Sequence, residues 1–279
     1  MTDDLASGFQ SVDRASDFAL FSSCLTLIDS LPFFADCKRE SYELLGAVPG
    51  RRILEVGCGL GDDAASLAKF VAPGGSVAAI DGSQTMIETA RGRHGDVAGL
   101  SFDVADAAHL PFDDASFDAC RIDRVLQHIA DPASAILEMV RVIRPGGVLV
   151  AYDNDWETLT VDSTDRVMTR SVVNAFCDRF PAGWIGRRLV PLFLRAGLGD
   201  QSIGDADVEP ARGAGIDHNG IADEHVEAHP TSSRNRVVAS IAAAMSSTVT
   251  DSAGLWLTPP AQRTNSIAIG AMVESMTAS

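Results

Sequence analysis

The sequence has few basic residues, with 22 lysines and arginines against 38 aspartates and glutamates, which leaves a formal net charge of −16. A surface of this sign repels phosphate groups. Nucleic acid and anionic membranes are therefore excluded as expected partners. The charge balance carries no information about the fold, but it favours a partner that has no cluster of phosphates.

The sequence also lacks an apolar run of the roughly 18 to 20 residues that a membrane-spanning helix needs. Met1 to Leu5 include two acids, and such a start predicts no signal peptide. The five cysteines are an odd number, are widely spread and form no C-x-x-C pair. This pattern predicts reduced thiols with no zinc or other metal site, as in a cytoplasmic protein.

Short apolar runs alternate with segments of helical periodicity in the first half of the chain. The predicted strands are Arg52–Val56, Val77–Ile80, Leu100–Val104, Phe117–Ile122 and Val148–Tyr152. The predicted helices cover Asp62–Val71, a segment capped by Ser83 that runs to Arg93, and a segment that begins at Pro132. Alternation of this kind predicts a parallel sheet with helices on both faces.

The flanking segments are less regular. Two helices are predicted within residues 14–47, separated by Pro32, and the second starts at Asp36. Two more are predicted over residues 167–180 and 187–196, whereas residues 199–260 carry little signal. Residues 267–276 are a candidate for a last strand.

A glycine-rich segment, EVGCGLG over residues 55–61, joins the first predicted strand to the first predicted helix. Glycines allow the backbone to turn sharply and to approach a ligand closely. The helix that follows offers free N–H groups and a partial positive charge at its start. The segment therefore predicts a nucleotide-binding crevice.

The spacing of the glycines departs from the dinucleotide fingerprint G-x-G-x-x-G. The third glycine, Gly61, comes one residue early, and a pyrophosphate at this helix start would meet Asp62 and Asp63. An amino-acid ligand without phosphate meets no such repulsion, since its ammonium group can pair with a carboxylate. Asp81 ends the second predicted strand, where an acid accepts hydrogen bonds from ribose hydroxyls, which is compatible with any adenosine cofactor, NAD included.

Residues 51–153 resemble the class I S-adenosylmethionine-dependent methyltransferases, and most of all the small-molecule branch that includes the ubiquinone/menaquinone C-methyltransferase type. The matching motifs, in order, are ILEVGCGLG (53–61), IDGS (80–83) with Met86, Asp106-Ala107 followed by LPF (110–112), SFD (116–118) and RVIRPGG (141–147). The resemblance implies an α/β fold with a doubly wound, mostly parallel, seven-stranded sheet. It also implies S-adenosylmethionine as cofactor, S-adenosylhomocysteine as product and a small-molecule acceptor.

The resemblance assigns twelve residues to the cofactor. They are Glu55, Gly57, Gly59, Gly61, Asp62, Asp81, Gly82, Met86, Asp106, Ala107, Arg121 and Asp123. The glycines would line the methionine part, Asp81 the ribose and Met86 the adenine face. Each also has an ordinary structural alternative, for example helix core for Met86 and a salt bridge for Arg121.

The acceptor side of the site is expected to follow the fourth and fifth strands. His128 is the candidate general base, on a predicted helix that begins at Arg124 and places both residues on one side. The candidate substrate residues are Phe18, Phe21, Arg124, Asp155 and Trp156. Core, cap or loop roles are equally compatible with these positions.

Three parts of one domain are expected: an N-terminal helical lid (1–48), a cofactor-binding core (49–153), and the remainder of the sheet with the acceptor pocket (154–279). The function predicted is cytoplasmic methyl transfer to an O, N or C atom of a small molecule in specialised metabolism. An NAD-dependent oxidoreductase and an adenosylmethionine-binding protein without methyl transfer are the alternatives. A monomer and a homodimer are both compatible with the sequence.

Overall fold

The computed structural model of the protein describes residues 5–161, 164–205, 236–242 and 246–247. Its first part is helical. The elements are α1 (Leu5–Gly8), a 3-10 helix (Val12–Arg14), α2 (Phe18–Ser30) and α3 (Pro32–Leu45). α3 begins earlier than the predicted Asp36 because a proline, whose missing N–H would have no helical partner, fits the first turn of a helix.

Strands and helices then alternate as the sequence predicts. The elements are β1 (Arg52–Val56), α4 (Asp62–Val71), β2 (Ser76–Asp81), α5 (Gln84–His94), β3 (Leu100–Val104), β4 (Phe117–Asp123), a 3-10 helix (Leu126–His128), α6 (Pro132–Val142) and β5 (Ile143–Asn154). Ser83 caps α5, since its hydroxyl accepts a hydrogen bond from the Met86 backbone N–H at 3.1 Å. The predicted cap is therefore confirmed.

The chain beyond β5 continues with short elements. They are a 3-10 helix (Trp156–Thr158), β6 (Thr160–Val161), α7 (Arg166–Cys177), α8 (Ile185–Arg195), β7 (Gly199–Asp205), β8 (Arg236–Ala242) and β9 (Ser246–Ser247). α7 and α8 confirm the two helices predicted here. The strand predicted over residues 267–276 lies outside the described residues.

The sheet has the order β3-β2-β1-β4-β5-β8-β7, and its described strand pairs are parallel. The predicted Rossmann-like parallel sheet is confirmed for β1 to β5. Val56 at the end of β1 aligns with Ile80 of β2 and with Ile122 of β4. The carboxyl ends of three strands therefore meet at one edge, beside the point where the strand order reverses and where such sheets leave a crevice.

Apolar helices cover both faces of the sheet, as expected for strands buried on both sides. Leu67 of α4 and Ile87 of α5 are fully buried in one cluster with Ile53 of β1. Met139 of α6 and Phe193 of α8 are fully buried in the cluster on the other face. The sheet edge that holds the crevice is thus supported by two packed layers.

No single described helix is both long enough and apolar enough to span a membrane. α2 and α3 reach that length and composition only when they are taken together, and they bend by 78° at the break between them. The break is at Leu31, whose backbone is extended.

Candidate functional site

The glycine turn after β1 adopts backbone conformations that L side chains rarely reach. Gly57 has a φ of 74° and Gly59 a φ of 52°. A Cβ at Gly57 would lie 2.2 Å from the Val125 side chain, so no larger residue fits there. The turn therefore forms a thin wall between the sheet edge and the space above it.

Above this turn lies a cavity of about 1120 Å³. Its walls come from the carboxyl ends of β1, β2, β3 and β4, from the N-terminal segment around residues 9–14, and from α2 and α3. Thirteen of the predicted site residues line it: Glu55, Gly57, Gly59, Asp62, Asp81, Gly82, Met86, Asp106, Ala107, Asp123, Arg124, His128 and Trp156. Their roles toward a ligand stay predictions.

Five other predicted residues are not among those that line the cavity: Gly61, Arg121, Phe18, Phe21 and Asp155. A Cβ at Gly61 would lie 2.8 Å from the Phe102 ring, so this glycine serves packing between α4 and the sheet. Phe18 and Phe21 pack in an apolar cluster with Val12, in which Phe21 is buried and Phe18 is partly buried. Contact of these five residues with a ligand stays a prediction.

Asp81 ties the glycine turn to the start of α5. One carboxylate oxygen accepts from the Gly59 backbone N–H and the other from the Ser83 backbone N–H, both at 2.9 Å. Burial raises the pKa of Asp81, although these hydrogen bonds oppose the shift. The carboxylate is thereby held in one orientation at the cavity wall, where it can accept hydrogen bonds from hydroxyl groups.

The loop after β3 brings Asp106 and Ala107 to the same cavity. Asp106 is exposed, and its carboxylate accepts from the Ala108 backbone N–H at 2.9 Å. That hydrogen bond and His109 lower the pKa of Asp106. Met86 of α5 is 2% exposed and belongs both to the apolar cluster of Val12 and Phe21 and to the cavity wall. The two interpretations of Met86, helix core and ligand contact, are therefore compatible.

Arg121 organises a buried group of charges behind the cavity wall. Its guanidinium donates to Glu55, to Asp123 at 2.6 Å and to Asp63 at 3.3 Å, while its side chain is 1% exposed. The place of Arg121 beside the cofactor stays a prediction; two of its carboxylate partners, Glu55 and Asp123, line the cavity. Glu55 keeps one oxygen, Oε2, that has no hydrogen-bond partner among the described residues.

The first turn of α4 divides its two acids between different partners. Asp62 bonds Nε2 of His94 at 2.8 Å and pairs with Arg93 at 3.3 Å. Asp63 pairs with Lys38 at 2.8 Å and accepts from the Tyr42 hydroxyl at 2.8 Å. Burial raises the pKa of Asp63, but Arg121 and Lys38 outweigh it and leave the pKa below its ordinary value. The predicted ammonium contact of Asp62 is thus in competition with two basic side chains.

The segment after β4 is not the predicted helix. Arg124 has a φ of 56°, which a helix excludes, and only Leu126–His128 form a 3-10 turn. Arg124 and His128 therefore do not share a helix face. A non-glycine residue in this conformation costs about 1–3 kcal/mol and is found most often at functional sites. Burial lowers the pKa of His128 to about 4, so its imidazole is neutral at pH 7.

Asp155 and Trp156 directly follow β5, and their side chains have different partners. The Trp156 ring stacks on Phe180 with centroids 5.0 Å apart and an interplanar angle of 12°. Asp155 is buried and forms a two-pronged ion pair with Arg187, with an Oδ1 to Nη2 distance of 2.9 Å. Trp156 thus remains a wall of the cavity, whereas the Asp155 carboxylate is already neutralised.

Comparison of the sequence with known proteins identifies a protein family for the part of the chain that forms this site. Residues 54–151, which run from β1 to β5, match the family model described as a methyltransferase domain. The chain is 38% identical over 141 residues to methyltransferase GfsG of Streptomyces halstedii and 37% identical over 117 residues to demethylmenaquinone methyltransferase of Staphylococcus aureus. These alignments cover 50% and 42% of this chain. Residues 54–151 form a class I S-adenosylmethionine-dependent methyltransferase domain.

The chain spans about half the length of these relatives, 48% of each. A chain from the Haloferax volcanii complex that contains the Trm112 methyltransferase activator superposes with a TM-score of 0.51 at 23% identity, covering 69% of this chain and 76% of that one. This likeness concerns the fold. The family model and the two relatives, and not this likeness, confirm the predicted family for residues 54–151.

S-adenosylmethionine, the methyl donor of this family, fits the residues present. The methyltransferase domain offers the unpartnered Glu55 oxygen and the oriented Asp81 carboxylate, both acceptors suited to an ammonium group and to hydroxyls. The turn over residues 55–63 has three carboxylates and no basic side chain, as expected for a ligand without phosphate. Among the described residues, no group of three or more metal-ligating side chains is placed to hold a metal ion.

Several cavity residues carried no signal in the sequence. Asp13, Phe9 and Lys38 line the cavity from the N-terminal part of the chain, and Gln127 does so from the turn after β4. Asp13 reaches Ser83 across 70 positions of sequence, which no local pattern encodes. Asp63 is different, because its place beside Asp62 at the start of α4 marked it as a candidate.

Proposed function

We propose that the protein transfers a methyl group from S-adenosylmethionine to an O, N or C atom of a small-molecule acceptor. The observation that carries this proposal is the hydrogen bond from the Gly59 backbone N–H to the Asp81 carboxylate at the cavity wall. It supports the proposal because a carboxylate beside a glycine turn is suited to bind hydroxyl groups, and both belong to a domain that matches the methyltransferase family. The other predicted cofactor residues that line the same cavity also support it.

The protein's part in the reaction is to bind, orient and exclude water. Asp81 would hold the ribose hydroxyls, Met86 and Asp106 the adenine, and Glu55 with the turn the methionine part. The bound cofactor supplies an electrophilic methyl group whose leaving group is neutral, so no acid is required. Alignment of two reactants in such a cavity contributes about 7–11 kcal/mol to lowering the barrier.

A small acceptor suits the cavity better than a macromolecule. The N-terminal segment and α2 close one side with apolar side chains, among them Phe9, Leu20 and Leu25. The net charge of −16 disfavours nucleic acid. One relative is by name a demethylmenaquinone methyltransferase, which supports a small apolar acceptor.

The finer parts of the proposal concern context. We infer a cytoplasmic enzyme of specialised metabolism, with residues 1–48 as the lid, 49–153 as the cofactor-binding core and 154–279 as the acceptor region. The likeness to a Streptomyces methyltransferase supports this context. The position of the N-terminal segment in the cavity wall supports the lid.

Two alternatives differ in what they bind or do. A dinucleotide cofactor would place its pyrophosphate beside Asp62 and Asp63 at the start of α4, which disfavours an NAD-dependent oxidoreductase. A protein that binds S-adenosylmethionine without transferring its methyl group keeps the same cofactor residues, because a fold does not dictate a function.

Isothermal titration with S-adenosylhomocysteine and NAD tests the cofactor. We expect the first to bind and Asp81→Asn to weaken it more than tenfold, or about 1.4 kcal/mol, because the amide accepts fewer hydrogen bonds than the carboxylate. Asp103→Asn, at an exposed acid on β3, is the control and should bind as the wild type does. Binding of NAD without S-adenosylhomocysteine would overturn the proposal.

Methyl transfer itself is tested with S-adenosylmethionine that carries a radiolabelled methyl group. Small phenols, primary amines and 1,3-dicarbonyl compounds serve as O, N and C acceptors. Label in a product, formed more slowly by Asp81→Asn at a cofactor concentration below saturation, is the expected result. Tight cofactor binding with no labelled product from any class would favour the alternative without transfer.

A further inference from the structure

The amide of Gln127 makes four hydrogen bonds at the acceptor side of the cavity. Its Oε1 accepts from the Trp156 Nε1–H at 2.7 Å and from the Asn154 amide at 3.3 Å. Its Nε2 donates to the Arg124 carbonyl at 3.1 Å and lies 3.1 Å from Nε2 of His128. The side chain is buried, so no water competes for these positions.

The orientation of this amide follows from its partners. An indole N–H can only donate, so the atom opposite Trp156 must be the Gln127 oxygen. A backbone carbonyl can only accept, so the atom opposite Arg124 must be the Gln127 nitrogen. Two independent partners thus assign the same orientation, with the amide oxygen toward Trp156 and the amide nitrogen toward the Arg124 carbonyl and His128.

This orientation determines the tautomer of His128. Because Gln127 Nε2 uses one hydrogen for the Arg124 carbonyl, its other hydrogen is directed at Nε2 of His128. That ring nitrogen must therefore accept and carry no proton. The neutral imidazole then has its hydrogen on Nδ1, and His128 has no lone pair left with which to remove a proton.

The Nδ1–H group is buried but has no hydrogen-bond partner among the described residues. The imidazole lies between the rings of Phe9 and Phe180, whose centroids are 5.4 Å and 5.5 Å away. Both rings line the same cavity as His128. A buried donor without a partner costs about 1–3 kcal/mol, which an oxygen atom of a bound molecule would recover.

Arg124 adds charge to the same side of the cavity. Its Nε donates to Asp123 at 2.7 Å, whereas its buried Nη1 has no partner within the described part of the chain. The guanidinium also lies over the Phe34 ring, 4.9 Å from the centroid. Arg124 and His128 each thus have an unsatisfied donor and an apolar ring beside them, and both side chains line the cavity.

We propose that His128 is a hydrogen-bond donor to the acceptor molecule and not a general base. Resting on the proposed function, this inference deepens it by naming a substrate class: flat, ring-bearing molecules whose hydroxyl or carbonyl oxygen is ionised as a phenolate or enolate. Such an acceptor is a nucleophile without losing a proton to the enzyme. His128 positions its oxygen, and Arg124 complements its charge.

The tautomer is measured directly by nitrogen-15 NMR of the histidine side chains, with His128→Asn used to assign the signal. We expect wild-type His128 at pH 7 to be neutral with its proton on Nδ1. Gln127→Glu can accept from Trp156 but cannot donate to His128, so the proton should move to Nε2. A wild-type proton on Nε2, or a charged ring, overturns the proposal whatever the protein's activity.

The substrate class is tested with 4-nitrophenolate and its matched analogue nitrobenzene, titrated into protein saturated with S-adenosylhomocysteine. We expect about tenfold tighter binding of 4-nitrophenolate, as for a hydrogen bond to a charged group. His128→Phe should abolish this preference and His128→Asn, which keeps an N–H donor, should retain much of it. Equal binding of the two probes to the wild type contradicts the donor role, whereas failure to bind S-adenosylhomocysteine contradicts the proposed function instead.

Discussion

Arg121 is the residue whose loss the fold should tolerate least. Its guanidinium is 1% exposed and bonds the carboxylates of Glu55, Asp63 and Asp123. Replacing it with methionine removes the charge but keeps much of the volume. The buried carboxylates would then lack a partner, and such a loss destabilises a protein by about 3–5 kcal/mol.

Arg144→Met is the matched control for this prediction. Arg144 pairs with Asp118 at 2.6 Å, but its side chain is 48% exposed, and an exposed pair contributes only about 0–1 kcal/mol. Urea unfolding of the wild type and both variants measures the two effects. Similar losses in the two variants would show that the buried carboxylates tolerate the absence of Arg121.

Residues of the site differ in how far the sequence predicted them. Gly57, Gly59 and Asp81 belong to short motifs in which neighbouring positions share one task, so their placement at the cavity followed from the pattern. Arg121 and Asp155 stood beside the same motifs, but their side chains turn to partners distant in sequence. Local pattern encodes the backbone of a site better than it encodes long-range ion pairs.

At the scale of elements, the N-terminal 3-10 helix is fastened to the start of α5. Asp13 accepts from the Ser83 hydroxyl at 2.6 Å and from the Gln84 and Thr85 backbone N–H groups, both at 3.0 Å. Burial raises the pKa of Asp13, but these hydrogen bonds outweigh it and leave the pKa at about 2. The carboxylate is therefore ionised near neutral pH and, together with Ser83, caps the start of α5.

Asp13→Ala should loosen this contact. Loss of a capping side chain costs about 0.5–2 kcal/mol, so the segment should open about tenfold more often. Arg14 is exposed and follows directly, which makes trypsin cleavage after Arg14 a sensitive measurement. We expect faster cleavage there and weaker binding of S-adenosylhomocysteine.

Asp36→Ala provides the control, because Asp36 is exposed and pairs with the exposed Arg39 on α3. Its cleavage rate and cofactor affinity should match those of the wild type. Unchanged cleavage in Asp13→Ala would mean that packing of Val12 and Phe21 alone holds the segment in place.

The elements themselves were predictable where local signals agree. α4 and β3 have the predicted bounds, and the proline at the start of α6 and the serine cap of α5 mark their helices. The helix predicted after β4 was wrong because Arg124 adopts a positive φ, a conformation that the residue type does not predict. In the turn that forms instead, Nε2 of Gln127 lies 3.1 Å from Nε2 of His128.

At the scale of the whole molecule, the cavity is lined by segments that are far apart in the sequence, from Phe9 to Phe180. The parallel sheet of β1 to β5 follows from the alternation of strands and helices, and the right hand of its crossovers sets the face on which each helix lies. The place of the N-terminal segment does not follow from that rule. Val12 and Phe21 share an apolar cluster with Leu60 of the turn and Met86 of α5, so the N-terminal segment and the sheet edge form one wall.

Cofactor binding should therefore protect the lid and the turn together. At about 100 times its dissociation constant, a ligand that binds only the folded state stabilises it by about 2.7 kcal/mol. With S-adenosylhomocysteine, we expect slower amide hydrogen exchange over residues 11–14, 57–60 and 83–86, while strand β1 changes only through global unfolding. Asp81→Asn at the same concentration should show clearly less protection in all three, because a ligand that binds tenfold more weakly then stabilises the folded state by only about 1.4 kcal/mol. Protection limited to residues 57–60, with residues 11–14 exchanging as before, would separate the lid from the cofactor site, because a wall built from both segments cannot tighten in one alone.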